Sequence, residues 1–349
     1  MAQMGFFDLS DRYASLDANK EPRFEIDAVV PWDKFRLALE RVWRKPMDAV
    51  LTFKMVVLSA PFNLSDDRIE YQVRDRLSLM RFLRLGPEGR VSDAKTVWFY
   101  LEPLTQAGLV ETLFKQFDSH LARQCYIARG SQVLYASILA VPRDRNTRDE
   151  NKTVKSGDVP EDWKDKPAKR SQKDVDARCS EEEQNAVRGI VLPASKHGKS
   201  NKGYKNDVNV DRKHKLVRRY HVSDAAQHDS QAVDHMLMRG NNGSGVWADS
   251  AYRSEEMDGT LRDRKLKSHI HRKGKRGKPL TEQAKGSNRI KSSVRVRVEH
   301  VFGAQVGGMS DTPVRRIGMV RARAKIRMKN LAYNMRSFVQ LRRMNPCAA

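Results

Sequence analysis

The sequence has almost none of the residue types that staple, anchor or cage a protein. It carries three cysteines in 349 residues, Cys125, Cys179 and Cys347. Odd in number and far apart, they define neither a disulfide framework nor paired Cys-x-x-Cys zinc spacing, and they suit a reducing compartment. Cys179 and His197 are two metal donors where a structural zinc site uses about four. Long apolar runs are missing too: none approaches the roughly 18 residues of a membrane span. The opening MAQMGFFDLSDRY has neither the basic nor the apolar segment of a secretory signal. The expectation is a soluble, cytoplasmic protein with no membrane partner.

Acid is the remaining shortage. Against 66 Lys and Arg stand 43 Asp and Glu, a formal net charge of +23 with pI ≈ 10.0. A surplus of that size implies a polyanionic partner. The apolar fraction of 39% is low but leaves a real core, in one large or two medium domains.

After an N-terminal segment at 1–29, residues 30–128 read as a helical domain. Ser65 is an N-cap signal before DDRIEYQVRDRLSLMRFL, where Ile69, Val73, Leu77 and Met80 fall at helical spacing. Ser92 and Asp93 open another helix that Gly108 closes, and LVETLFKQFDSHLARQ makes a third. This domain could carry a helix-turn-helix or be a plain bundle. The rest, 129–349, changes character. SQVLYASILAV reads as a buried strand, and residues from about 143 to 207 as a long loop or insertion. KNDVNVD and KLVRRYHV form a hairpin around residues 212–214, DSQAVDHMLM a short helix, GVWADSA a strand, SEEMDGTLRDRK a helix and LKSHIHR a strand. His269 and His271 are read as alternating on that last strand, one of them facing solvent, and Trp247 as core. Helix returns from about Ser293. A basic C-terminal helix then carries one apolar stripe, from Ile317 and Val320 through Ala324, Met328, Leu331 and Met335 to Phe338.

Two acids stand out against the basic background. Glu299 lies in RVRVEHVFG, four residues after Arg295 and directly before His300. Asp249 lies about fifty residues earlier, at the end of the apolar run in GVWADSAY. An Asp ending a strand and a Glu on a later helix, both in basic sequence, can hold Mg²⁺ against a phosphodiester, which points to chemistry on DNA.

At these residues the chain resembles a known family. VWADSAYRSEE, KSHIHRKGKRGKPL and RVEHVFG look like the catalytic half of bacterial DDE transposases of the insertion-sequence-five family. YQVRDRLSLMRFL, PRDRNTRDENK, VNVDRKHKLVRRYHVSDAAQHDSQ and KNLAYNMR extend the likeness, in family order, from roughly Asp27 to the end. The resemblance implies a mixed α/β fold, with a ribonuclease-H-like catalytic core preceded by an all-helical N-terminal domain. It implies a nucleoid-associated enzyme that binds terminal inverted repeats and target DNA, acts as a homodimer or higher multimer, and cleaves and joins strands with two Mg²⁺ ions. Asp249 and Glu299 would be catalytic metal ligands, with Arg295 beside them. Arg272, Lys273, Lys275, Arg276, Lys278, Arg297 and His300 would contact DNA, within a run from Leu261 to His300 of 14 Lys and Arg against three acids.

The chain also departs from the family. The first catalytic Asp should sit in the strand, where this sequence reads Leu-Tyr-Ala-Ser and places Tyr135. A phenol with pKa near 10 is a poor magnesium ligand at neutral pH. Asp144, Asp149 and Asp211 are the nearby acids that could replace it, and a tyrosine nucleophile is the sharp alternative. In the family signature Tyr-x₂-Arg-x₃-Glu-x₆-Lys, Arg295 and Glu299 match, whereas Ser292 and Val306 stand at the tyrosine and lysine positions. The stretch CSEEEQNAVRGIVLPAS is longer than the family joint. The expectation is a degenerate transposase copy with impaired chemistry. The alternative is a catalytically inactive DNA-binding protein that occupies element ends or inhibits active transposase.

Overall fold

The computed structural model describes residues 8–18, 22–43, 48–62, 64–86, 88–126, 130–142, 147–179, 202–238, 243–274, 277, 279–306, 314 and 316–344. Two compact units share the chain. One is Met1–Cys125 with Gly308–Ser310 and Arg327–Ala349; the other is Tyr126–Gly307 with Asp311–Ile326.

The first unit is helical: α1 (Asp8–Ala18), α2 (Pro22–Val29), α3 (Asp33–Glu40), α4 (Ala49–Phe62), α5 (Asp66–Asp75), α6 (Leu77–Phe82), α7 (Ala94–Gln106) and α8 (Leu109–Arg123). Helix thus already occupies much of the segment before residue 30. Capping side chains set several of the ends: Ser65 accepts from the Arg68 amide and Asp93 from the Thr96 amide. Gly108, at φ +63°, makes the left-handed turn between α7 and α8. The single helix expected after Ser65 is two, because Arg76 takes an extended backbone (φ −116°, ψ 110°). The redirected turn buries Leu79, Met80 and Phe82. Trp32, Phe35, Phe53 and Phe82 pack edge to face, with ring centroids 5.3 to 6.4 Å apart.

The second unit is built on a sheet of six strands among the described residues: β1 (Gln132–Ala140), β2 (Arg178–Cys179), β3 (Lys202–Asp211), β4 (Val217–Asp224), β5 (Gly245–Ala248) and β6 (Lys267–Ile270). β3 lies antiparallel to β1 on one side and to β4 and β2 on the other, while β5 and β6 continue the sheet parallel to β1. An antiparallel β1–β3–β4 meander extended by parallel β5 and β6 is the ribonuclease-H-like arrangement. Gly203 is required for it, since a Cβ there would overlap the Leu139 carbonyl. Only the first part of β1 is fully buried; beyond Leu134 the strand is half-exposed, with Ile138 at the surface. One face of the sheet packs Leu134, Val246, Ala248 and Ile270 against Met236, Tyr252, Met257 and Leu261. A helix of 25 residues, Glu282–Val306, packs on β1 and β5.

Three sequence expectations change here. The long loop at 143–207 is not a loop over its described part. It holds helices Arg148–Ser156, Glu161–Lys164 and Pro167–Ser171, then β2, and β3 begins at Lys202. Thr147 and Glu150 form a reciprocal capping box, and Glu150 also accepts from the buried Trp163 indole and Lys169, both at 2.7 Å. A buried tryptophan gives this polar segment a small core that its weak periodicity hides. The long helix starts at Glu282 rather than near Ser293, because Thr281 caps it through the Ala284 amide. Finally, the terminal helix Met319–Met344 is not a single stripe: Asn330 to Met335 are buried without a break, whereas Val320 is exposed and Ile317 precedes the helix.

Candidate functional site

The site arises from a mismatch of strand lengths. β1 runs nine residues and β5 four, and their parallel pairing sets Gln132 beside Val246 and Val133 beside Trp247. Counted on, that register puts Leu134 beside Ala248, the last residue of β5, and Tyr135 level with Asp249. Strand alternation sends Leu134 and Ala136 into the core and Tyr135 to the face covered by the long helix. The crevice beyond the carboxyl ends of parallel strands is where α/β sheets bind ligands.

Asp249 opens the 3₁₀ turn Ser250–Tyr252 and accepts from the Ser250 amide. The long helix supplies Arg295, whose Nη1 lies 2.8 Å from Asp249 Oδ2 and whose guanidinium carbon stands 5.9 Å from the Tyr135 ring centre. Burial opposes ionisation of Asp249, but the Arg295 charge and the Ser250 amide outweigh it and hold the carboxyl below its usual range. The carboxylate is still half-exposed, at 48%, and so reachable by a ligand.

His271 joins this group. Its Nδ1 is 4.0 Å from Asp249 Oδ1 and its Nε2 is 3.4 Å from Ser292 Oγ. Burial, together with Arg295 and Lys291, pushes its pKa down, against the opposing pull of Asp249. Lys291, donating to the Ile270 carbonyl at 2.9 Å, is itself pushed down by burial and by Arg272 and Arg253. The expected split of His269 and His271 between core and solvent is wrong, because residues two apart on a strand share a face. His269 stacks on Trp247 with centroids 4.2 Å apart, and Arg212 covers the same indole at 5.4 Å. Gly245 makes room: a Cβ there would stand 2.7 Å from His269 Cδ2.

The remaining candidates are placed as follows. Glu299 lies one helical turn beyond Arg295 in the long helix, and its side chain, like those of Arg297 and His300, is outside the described residues. Arg272 and Lys273 follow β6 and are exposed; Asn288 of the long helix clasps the Arg272 backbone, accepting from its amide at 3.0 Å and donating to its carbonyl at 2.9 Å. Lys275, Arg276 and Lys278 lie outside the described residues, as does Asp144. Asp149 is exposed in the Arg148–Ser156 helix. Asp211 pairs with Gln132, at the start of β1 and three residues before Tyr135, and its carboxylate is taken up by the Lys213 and His214 amides and Arg218. Neither described acid stands in for the missing ligand.

Sequence reading gave no role to Asp207. On β3, paired with Ala136, it is buried, accepts from the Tyr252 hydroxyl at 3.0 Å, and is pushed up to about 7 by burial and by Asp229.

The chain matches two transposase families. Residues 129–335 match the transposase DDE domain and residues 10–102 a transposase domain (DUF772). The chain therefore belongs to the DDE transposases. It is 26% identical over 162 residues to the transposase for insertion sequence element IS1106 of Neisseria meningitidis serogroup B, a match covering 44% of this chain and 56% of that protein. No solved structure matches. No described helix is long and apolar enough to cross a membrane.

The family implies a divalent metal, and the described side chains do not fit a two-metal centre. Such a centre needs anionic oxygens from several carboxylates. Here Tyr135 presents a phenol, and Asp249 is already engaged by a guanidinium. Among the described residues, no group of three His, Cys, Asp or Glu side chains could hold a metal ion.

Proposed function

We propose that this protein is an insertion-sequence transposase that binds the terminal inverted repeats of its element, and that its Mg²⁺-dependent strand cleavage and transfer are impaired at Tyr135. The supporting observation is the register that sets Tyr135 level with Asp249 under Arg295. Asp249 and Glu299 are the carboxylates that remain, and Arg295 holds Asp249. Tyr135 fills the first carboxylate position with a larger, neutral group. Arg272, Lys273, Lys275, Arg276, Lys278, Arg297 and His300 contribute phosphate contacts that need only positive charge and hydrogen-bond donors. Assembly on DNA follows from the task, since two element ends must be held at once by a homodimer or higher multimer.

A second reading follows from the Arg295–Asp249 ion pair: a protein that retains DNA binding without cleavage, and so occupies ends or poisons active multimers. One experiment separates the readings. Full-length protein is incubated with a labelled duplex carrying the element's own inverted repeat and with a scrambled duplex, with Mg²⁺ present. Preference for the repeat with slow nicking at its end supports the impaired transposase. Preference with no nicking supports the occupying protein. Equal affinity for both duplexes contradicts both.

A further inference from the structure

We infer that the Arg295 guanidinium stands where the family's divalent cation would, so that this pocket holds a phosphate group without metal. The inference rests on the assignment of Asp249 as the second catalytic position. Nη1 of Arg295 is 2.8 Å from Asp249 Oδ2, and the guanidinium carbon is 5.9 Å from the Tyr135 ring centre. One fixed positive charge therefore spans both strand positions that carry metal-binding carboxylates in the family. Tyr135 gives that charge an aromatic face in place of an anion.

The local field is suited to an anion. Lys291 lies one helical turn before Arg295 on the same face of the long helix and reaches the Ile270 carbonyl at 2.9 Å, and His271 Nδ1 is 4.0 Å from Asp249 Oδ1. A divalent cation approaching Asp249 would have to displace Arg295 from it against like-charge repulsion. A phosphodiester meets the reverse situation. Guanidinium presents planar, paired donors that match phosphate oxygens, and Lys291 adds a point charge. Asp249 becomes a positioning residue for Arg295.

The test uses full-length protein, Mn²⁺ as a paramagnetic probe of the metal site, and a scrambled duplex as the phosphodiester probe. Because that duplex carries no element sequence, failure of end recognition leaves this test unaffected. The parent protein should bind no Mn²⁺ at Asp249, so its Mn²⁺ spectrum should match that of Asp249→Asn. Its affinity for the duplex should be no higher in Mg²⁺ than in EDTA at matched ionic strength. Arg295→Gln should make the slope of log affinity on log salt shallower by about 0.9, the contribution of one phosphate contact. Arg295→Lys, which keeps the charge, should restore the slope, and thermal melts of both variants check that they fold. Tyr135→Asp should create a bound Mn²⁺ signal. A parent Mn²⁺ signal that Asp249→Asn abolishes would overturn the inference. So would duplex binding that requires Mg²⁺, or an unchanged salt slope in folded Arg295→Gln.

Discussion

Asp207 shows what a single buried carboxyl does to a fold. Its folded pKa of about 7 lies above the ordinary aspartate value of 3.8, raised by burial and the neighbouring Asp229. Between those values the native state holds a proton that the unfolded chain releases, so stability is greatest below about pH 4 and falls as pH rises toward 7. Asp207→Asn keeps an acceptor for the Tyr252 hydroxyl and removes the titration. Relative to the parent, the variant should gain stability progressively from pH 4 to 7 and stay ahead above that, as urea melts at pH 5 and 8 would measure. A variant less stable than the parent at pH 8 would contradict this origin. The residue was not legible beforehand. KNDVNVD alternates polar side chains like a half-exposed strand, and nothing local says that Lys205, Asp207 and Asn209 all lie buried against the turns that follow β4 and β5. Asp249 and Arg295 drew attention as a strand-end acid and a helix arginine in a basic run. His271 was read only as alternating with His269, where strand periodicity sets both on one face.

Among elements, the segment from Thr147 to Cys179 separates what pattern can reveal from what it cannot. Strands β1 and β5 were legible as short apolar runs, and helices α5 and α7 through their N-caps. The three short helices of this segment hold nine, four and five residues, too few for an apolar stripe to declare itself. The local signal that marks the segment as helical is the Thr147-x-x-Glu150 capping box, which the loop reading passed over. Glu150 is held down to about 2, chiefly by Lys169, the Thr147 amide and the Trp163 indole. Its contribution is therefore present above about pH 4.5 and lost as pH falls toward 2. Glu150→Ala should strip the buried Trp163 indole of its acceptor, at a cost of about 1–3 kcal/mol. Red-shifted tryptophan emission and faster proteolysis between residues 147 and 179 should follow. Unchanged proteolysis at pH 7 would mean that the segment does not depend on this contact.

At the scale of the whole molecule, an excess of 23 positive charges is a statement about partner and conditions rather than fold. Duplex affinity should fall by about 0.9 log units per phosphate contact for each log unit of salt. Lys273→Gln together with Arg272→Gln should flatten that slope by about two contacts without altering thermal stability. A slope unchanged by the pair would remove the segment after β6 from the DNA track. The charge surplus was plain in the sequence; the ribonuclease-H-like order of strands depended on pairings across long separations, which no local pattern encodes. The proposed impairment, in turn, rests on one residue, Tyr135. Single-turnover nicking of a duplex bearing the element's own ends, by the parent, Tyr135→Asp and Tyr135→Asp with Glu299→Gln, tests that dependence most directly. Tyr135→Asp should cut with Mg²⁺ at least about 100-fold faster than the parent, and the added Glu299→Gln should abolish the gain. A parent that already cuts as fast, or a Tyr135→Asp variant that binds DNA and stays silent, would contradict the assignment of Tyr135 as the site of impairment.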